Sequence, residues 1–321
     1  SSDVCSSDLW FESRWRYKRS LHIFQGAVVK NYANHLTSKR KQSGLSLIEI
    51  MVSLVIGLVV VVAVLVSYIG SGRSGKFQAA YSQMNEDAQV GLSLLSRDIQ
   101  LAGYARPTAV NGGNSFTPTF ADRPVTGCDT GFSAVPAAAS SIACNAAPGT
   151  SPALDVGYEA DLENTVPTGG APSDCLGSAL PVVAATQPYY VARNRYYIAN
   201  SAISGRPELH CASYPSAASR GGQPLIENID AMQVWYGERN AEAAVPPPRQ
   251  IVRYVPAASV ADWNNVLAVR VCLLVRSSER IVITDEPVRY LDCNSAQQTV
   301  NDGFLRRAYF VTSTIRSKMS F

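Results

Sequence analysis

Few side chains in this sequence are candidates for chemistry. Glu49 stands at the head of an almost uninterrupted apolar run; from Ile50 to Ile69 only Ser53, Gly57 and Ser67 break it. A carboxylate inside a membrane span costs at least ~2.5 kcal/mol, so it needs a partner and usually has a task. A cation brought to the membrane face by a neighbouring chain would be such a partner. Seven cysteines form a second group. Cys5 precedes the apolar run, and Cys128, Cys144, Cys175, Cys211, Cys272 and Cys293 follow it. An even set beyond a membrane reads as disulfides in an oxidising compartment. There is no C-x-x-C pair, which leaves zinc and thioredoxin-like readings without support. Many pairings are open; near-neighbour pairing (128 with 144, 175 with 211, 272 with 293) is the expectation.

Other chemical candidates carry less. His210 is the one histidine after Gly44, so a Ser-His-Asp or Cys-His site would have to use it. Beside Cys211 in a strand-like stretch, it reads as structural. Asp155, Glu159, Asp161 and Glu163 are hard oxygen donors of the kind Ca²⁺ takes. Their spacing does not match an EF-hand loop, and a solvated acidic loop is the expectation. The run Gly70-Ser71-Gly72-Arg73-Ser74-Gly75-Lys76-Phe77 fits G-x-G-x-x-G and nearly fits a phosphate loop. Both motifs need a preceding strand in an α/β unit. Here an apolar helix precedes, and Phe77 stands where a hydroxyl would hold Mg²⁺. The stretch reads as a glycine-softened joint where a helix leaves the bilayer. No catalytic set, metal or cofactor is expected, and the chain is not expected to be an enzyme.

The elements that position these groups begin with the apolar run. About 20 residues rising ~1.5 Å each cross a ~30 Å hydrocarbon core. Lys39, Arg40 and Lys41 lie just before it, and basic flanks stay cytoplasmic, so the chain after Ile69 is expected on the far side. A cleaved secretory signal would need an A-x-A-like site after the run; Ser67-Tyr68-Ile69-Gly70-Ser71-Gly72 fits poorly. The 321 residues allow one or two domains beyond the span. Residues 1–44 carry eight Lys/Arg and three Asp/Glu; of the chain's 28 and 25, 20 and 22 remain afterwards, a balance of −2. Basic excess is confined to the start and gives no warrant for nucleic-acid binding by the rest. No Met precedes Met51, so residues 1–27 read as upstream or foreign sequence, with Val28 or Val29 as the initiator.

From Phe77 a helical period appears. Phe77, Tyr81, Met84, Ala88, Leu92, Leu95, Ile99 and Ala102 form one apolar stripe, with Gln78, Gln83, Glu86, Asp87, Arg97 and Asp98 on other faces. Gly103 and Pro107 end it. Residues 105–185 are rich in Ala, Gly, Pro, Ser and Thr and read as loops and short strands pinned by Cys128, Cys144 and Cys175. Strands are predicted at 189–193, 195–198, within 225–237, at 266–276 and at 306–316, with Pro246, Pro247 and Pro248 in a loop and Trp263 opening a helix-to-strand passage. One-sided alternation argues for antiparallel pairing. The fold class is α+β: one long N-terminal helix packed on an antiparallel β-sheet head with disulfide-pinned loops. The expected organisation is 1–44 leader, 45–70 transmembrane helix, 71–104 amphipathic helix and 105–321 β-rich head.

Gly44, the hydrophobic Leu45, Glu49 and the long apolar helix resemble the N-terminal signal of type IV pilins and pseudopilins. The resemblance implies that a prepilin peptidase cuts between Gly44 and Leu45 and that the new amine of Leu45 is methylated. Phe is the commonest first mature residue in the family, and Leu is an accepted variant. It also implies that Glu49 registers subunits by meeting a neighbour's N-terminal amine. The run Leu94-Leu95-Ser96-Arg97-Asp98-Ile99-Gln100-Leu101-Ala102-Gly103-Tyr104 is similar to that of PilW-type minor pilins, as are the last three strand blocks. The function implied is a minor pilin that primes type IV pilus assembly and joins a tip complex, supporting adhesion and twitching motility. Implied partners are other minor pilins, the major pilin, the prepilin peptidase, the inner-membrane assembly platform, a PilY-type tip adhesin and lipid around 45–69, with no nucleic acid. The location would be the inner membrane, with the N-terminus cytoplasmic and the head periplasmic, and later the pilus tip. Two alternatives are a minor pseudopilin of a type II secretion system and a DNA-binding pilin for uptake, the latter using Arg306, Arg307, Arg316 and Lys318.

Overall fold

A computed structural model describes residues 44, 46–110, 115–118, 122–133, 142–146, 151–183, 189–214, 222–240, 249–282 and 287–319. Residues 1–43 of the leader, Leu45 and Pro246 to Pro248 lie outside them. The chain divides into two compact units, one ending at Tyr68 and the other running from Ile69 to Phe321.

Helix α1 spans Leu47–Leu101, 55 residues. Its first turns are held by the Ser46 carbonyl, which accepts from the amides of Glu49 and Ile50 at 3.0 and 3.2 Å. The expected glycine joint is not a break: Gly70, Gly72 and Gly75 are helical, in open space. The ~1 kcal/mol cost of each glycine is spread along a helix too long to be broken by it. A phosphate cradle is excluded for the same reason, since its amides would already be bonded within the helix. The helix ends where Gly103 adopts φ +69°, and its amide bonds the Gly157 carbonyl at 2.8 Å. This is the left-handed position that glycine fills without penalty at a helix C-terminus.

The strands after it are β1 (Pro107–Val110), β2 (Ser115–Pro118), β3 (Val125–Cys128), β4 (Ala153–Ala160), β5 (Tyr190–Asn200), β6 (Pro207–Ser213), β7 (Gln223–Glu227), β8 (Ile229–Arg239), β9 (Ile251–Val255), β10 (Val266–Arg276), β11 (Val288–Leu291), β12 (Gln297–Val300) and β13 (Arg306–Thr314). They form a five-stranded sheet, order β3-β4-β5-β6-β7, and a four-stranded sheet, order β13-β10-β8-β9, with two small hairpins, β1-β2 and β11-β12. Every pairing is antiparallel. The α+β class and the antiparallel head are as the sequence predicts.

Two strand expectations change. Residues 190–193 and 195–198 fall on one continuous strand, β5, and Tyr189 lies just before it. Residues 225–237 are two strands in different sheets, β7 and β8, divided by Asn228 at φ +63°. Asparagine tolerates the left-handed region better than most residues, and Arg276 donates its amide to the Asn228 carbonyl at 2.9 Å, fixing the crossing. The passage at Trp263 is a 3-10 turn (Trp263–Asn265), capped by Asp262 and leading straight into β10.

The helix stripe packs on both sheets. Met84, Ala88, Leu95, Ile99 and Ala102 are buried in one core with Leu154, Tyr196, Leu209, Val271 and Leu273. At Gly91 an added Cβ would lie 2.9 Å from Leu273 Cδ1 and 3.1 Å from Ile226 Cδ1, so glycine permits the close approach there. Phe77 and Tyr81 do not join the core; they are 36% and 40% exposed. Burial begins at Ala80, where α1 first meets the sheets.

Three disulfides pin the head: Cys128–Cys144, Cys175–Cys211 and Cys272–Cys293. Residues 105–185, expected as loops and short strands, hold the short strands β1, β2 and β3 and the longer β4 among their described residues. Strand β4 among them is buried along all eight residues.

Candidate assembly site

The described helical residues of the first unit present an exposed apolar surface. From Leu47 to Tyr68 every residue is exposed, including Leu47 at 76% and Val66 at 66%. The helix is long and apolar enough to cross a membrane. At ~25 cal/mol per Å² of apolar surface, such a stretch is strongly driven out of water into lipid or against similar helices. Glu49 lies in the first turn of α1 and is exposed. A carboxylate there is favoured by the positive end of the helix dipole, worth ~0.3–1 kcal/mol, far less than its insertion cost. A nearby cation would offset the rest of that cost. Gly44 lies ahead of the helix and carries no contact that a side chain would disturb.

In the second unit Asp98, expected on a polar face, is buried and bonded. Its Oδ2 accepts from Tyr196 Oη at 2.6 Å and Asn194 Nδ2 at 2.7 Å. Tyr158 Oη donates to Oδ1 at 3.5 Å. Burial pushes the Asp98 carboxyl above its ordinary range, against the pull of these hydrogen bonds and of Arg97. Tyr196 and Tyr158 are pushed up too, first by burial and then by the nearby carboxylate. A cleft of about 220 Å³ lies beside them, lined further by Arg97, Asn164 and Asp174. That volume holds several waters at ~30 Å³ each and falls below ordinary ligand pockets.

The acidic cluster is not a solvated loop. Asp155 lies on β4, is fully buried, and pairs with Arg193 Nη2 at 2.7 Å and Arg195 Nε at 2.9 Å on β5. Glu159, equally buried, accepts from the backbone amide and the Nε of Arg106, both at 2.7 Å. Asp161 shapes the following turn by accepting from the amides of Glu163 and Asn164. Of the four, Glu163 alone is exposed. Buried carboxylates survive because cationic donors face them. Among the described residues no group of acidic, Cys or His side chains could hold a metal ion.

The basic patch considered for DNA is not assembled as a patch. Arg306 is inside a network with Asp230 and Asp302 and is nearly buried. Lys318 donates to the carbonyls of Trp263 and Asn264, each at 3.0 Å, and burial lowers its ammonium to about 8. His210 faces Glu208 at 3.3 Å and packs on Tyr197, as a structural residue would.

Residues 39–65 match the prokaryotic N-terminal methylation motif, and residues 195–317 match the family described as Type IV Pilus-assembly protein W. A solved structure, the type IV-like pilin TTHA1219 from Thermus thermophilus, is similar over 73% of this chain and 97% of its own, at 13% identity and a TM-score of 0.36. No curated protein matches this chain. The methylation-motif match overlaps the start of the exposed apolar helix, which is long and apolar enough to cross a membrane. The match to Type IV Pilus-assembly protein W runs from β5 through the last strand of the head, so the chain is similar to that family over this C-terminal part.

Proposed function

We propose that this chain is a minor pilin that primes type IV pilus assembly at the inner membrane and then occupies the tip complex, where it supports adhesion and twitching motility. The observation that carries this reading is the fully exposed apolar segment of α1 with one carboxylate, Glu49, in its first turn. Residues 1–44 act as the leader, 45–70 as the membrane and filament-core helix, 71–104 as the amphipathic half and 105–321 as the head. Prepilin peptidase removes the leader before Leu45, whose amine is then methylated, with the N-terminus cytoplasmic and the head periplasmic. Glu49 neutralises the amine of an adjacent subunit, which sets the register of helices entering the bundle. The disulfide-pinned head meets other minor pilins, the major pilin and a PilY-type adhesin.

The test is a deletion strain complemented in trans, scored for surface pili, twitching and the position of a gold-labelled head. Few pili, rescue by the wild type but not by Glu49→Ala, and label at pilus ends are expected. Normal piliation in the deletion strain overturns the reading.

A further inference from the structure

The four-stranded sheet carries an outward feature that helix bundling leaves unused. Strand β10 is buried along its length except at Arg270, apart from a half-buried last residue. Trp235 on β8 lies directly across from Arg270, and Phe310 on β13 lies one step off, opposite Cys272. The two rings stack with centroids 6.5 Å apart and 23° between planes. The guanidinium carbon of Arg270 sits 5.6 Å from the Trp235 ring and 5.0 Å from the Phe310 ring. Successive strand residues alternate faces, so this platform lies on the opposite side from Val269, Val271 and Leu273, which pack in the core with α1. One end of that outer face is covered, since Cys272 and Leu274 pack with Cys293 and Tyr290. At the platform Phe310 is 42% exposed. Among the described residues Arg270 has rings for neighbours and no bonded carboxylate. Arg and Trp in such settings are the usual anchors of protein interfaces.

The complementary surface is on the helix side of the same head. Glu86 and Asp87 lie on α1 beside Glu227 at the end of β7. Partial burial and then repulsion from the other two acids hold the Asp87 carboxyl above its ordinary range. Val90 and Leu94, 48% and 38% exposed, follow Glu86 one and two turns later. At 3.6 residues per turn these four side chains share an arc of about 100°. Two carboxylates and two apolar side chains thus face a cation set between two aromatic rings.

We propose that the Trp235–Arg270–Phe310 platform docks the Glu86–Leu94 strip of a second copy of this chain, with Arg270 reaching Glu86 and Asp87 and the rings covering Val90 and Leu94. Because the surfaces differ, the contact is head-to-tail and repeats from one head to the next rather than closing into a two-fold pair. It involves the heads alone, so its failure leaves the roles of Glu49 and of the tip complex untouched.

The test places a benzophenone amino acid at Thr312, an exposed neighbour of Arg270 across the ladder, in the full-length chain in detergent micelles. A photo-crosslinked dimer is expected, joined to the tryptic segment 77–97. Its yield should fall at least about tenfold with Arg270→Glu, since like charges meeting in an interface cost several kcal/mol. Mixing that chain with the Glu86→Arg/Asp87→Arg double variant should restore it, with near-UV circular dichroism verifying that both are folded. No dimer, a crosslink to another segment or to nucleic acid, or a yield indifferent to both charge changes overturns the proposal.

Discussion

Tyr196 donates its hydroxyl to Asp98 Oδ2 at 2.6 Å, tying the five-stranded sheet to the last turn of α1. Asn194, two residues along β5, donates to the same oxygen. These bonds give the helix a fixed rotation against the head that apolar packing alone would leave softer, because apolar contacts are non-directional. Asp98→Ala would strand two buried donors. It should destabilise the head by about 2–4 kcal/mol in urea unfolding of the full-length chain in micelles.

The same carboxylate makes a pH prediction. Burial raises its folded-state pKa above the ordinary 3.8, so the folded state binds its proton more tightly than the unfolded state does. Its contribution to stability is therefore fully present below the unfolded pKa and is lost as pH rises through the folded pKa. Measured against Asp98→Asn, which does not titrate, the wild type should gain stability as pH falls from 7 toward 4 and level off below. A gap independent of pH would show that Asp98 is not buried as described.

Gly127 and Tyr236 should be coupled. A Cβ at position 127 would lie 1.8 Å from Tyr236 Oη and 2.9 Å from the Ala153 carbonyl oxygen. Gly127→Ala should destabilise by about 1–3 kcal/mol through overpacking. The Tyr236 hydroxyl is buried and has no hydrogen-bond partner among the described residues, so Tyr236→Phe should be nearly neutral. When Gly127→Ala is combined with Tyr236→Phe, part of its cost should vanish, a non-additivity that a double-mutant cycle reads directly.

The Cys175–Cys211 bridge spans 36 residues and joins the segment before β5 to the middle of β6. Replacing both with alanine should cost about 3–4 kcal/mol by loop-closure entropy. Thermal melts of the oxidised wild type and the double variant check it.

How legible was this molecule beforehand? The apolar run, the basic flank and the 3-4 stripe define α1 because they depend on period and length, which survive without knowledge of partners. β10 was equally plain, since its central position makes it apolar nearly throughout. β4 was missed because Asp155, Gly157 and Glu159 disfavour a strand when read locally. What offsets them is Arg193 and Arg195 on β5 and Arg106 before β1, far away in sequence. The i, i+2 spacing of Arg193 and Arg195 was the available signal: it matches alternate residues of one strand face, and acids on a paired strand would answer it. Asp98 was hidden for the same reason, a polar residue inside an apolar stripe whose partners lie about a hundred residues on. The basic patch failed because Arg306 could not be seen to have Asp230 and Asp302 for neighbours.

At the N-terminus, Gly44→Ala should block maturation, read as a product that keeps its leader on a gel. Glu49→Ala should leave cleavage intact and reduce incorporation into sheared surface pili. Normal processing of the first, or normal incorporation of the second, would count against the assignment of these residues.

If a processed apolar helix carries this head into a bundle of like helices, the intact mass of the protein recovered from the membrane must show the processing. A chain beginning at Leu45 with one methyl group on its amine is expected. A chain that retains residues before Leu45, or begins at any other position, contradicts it.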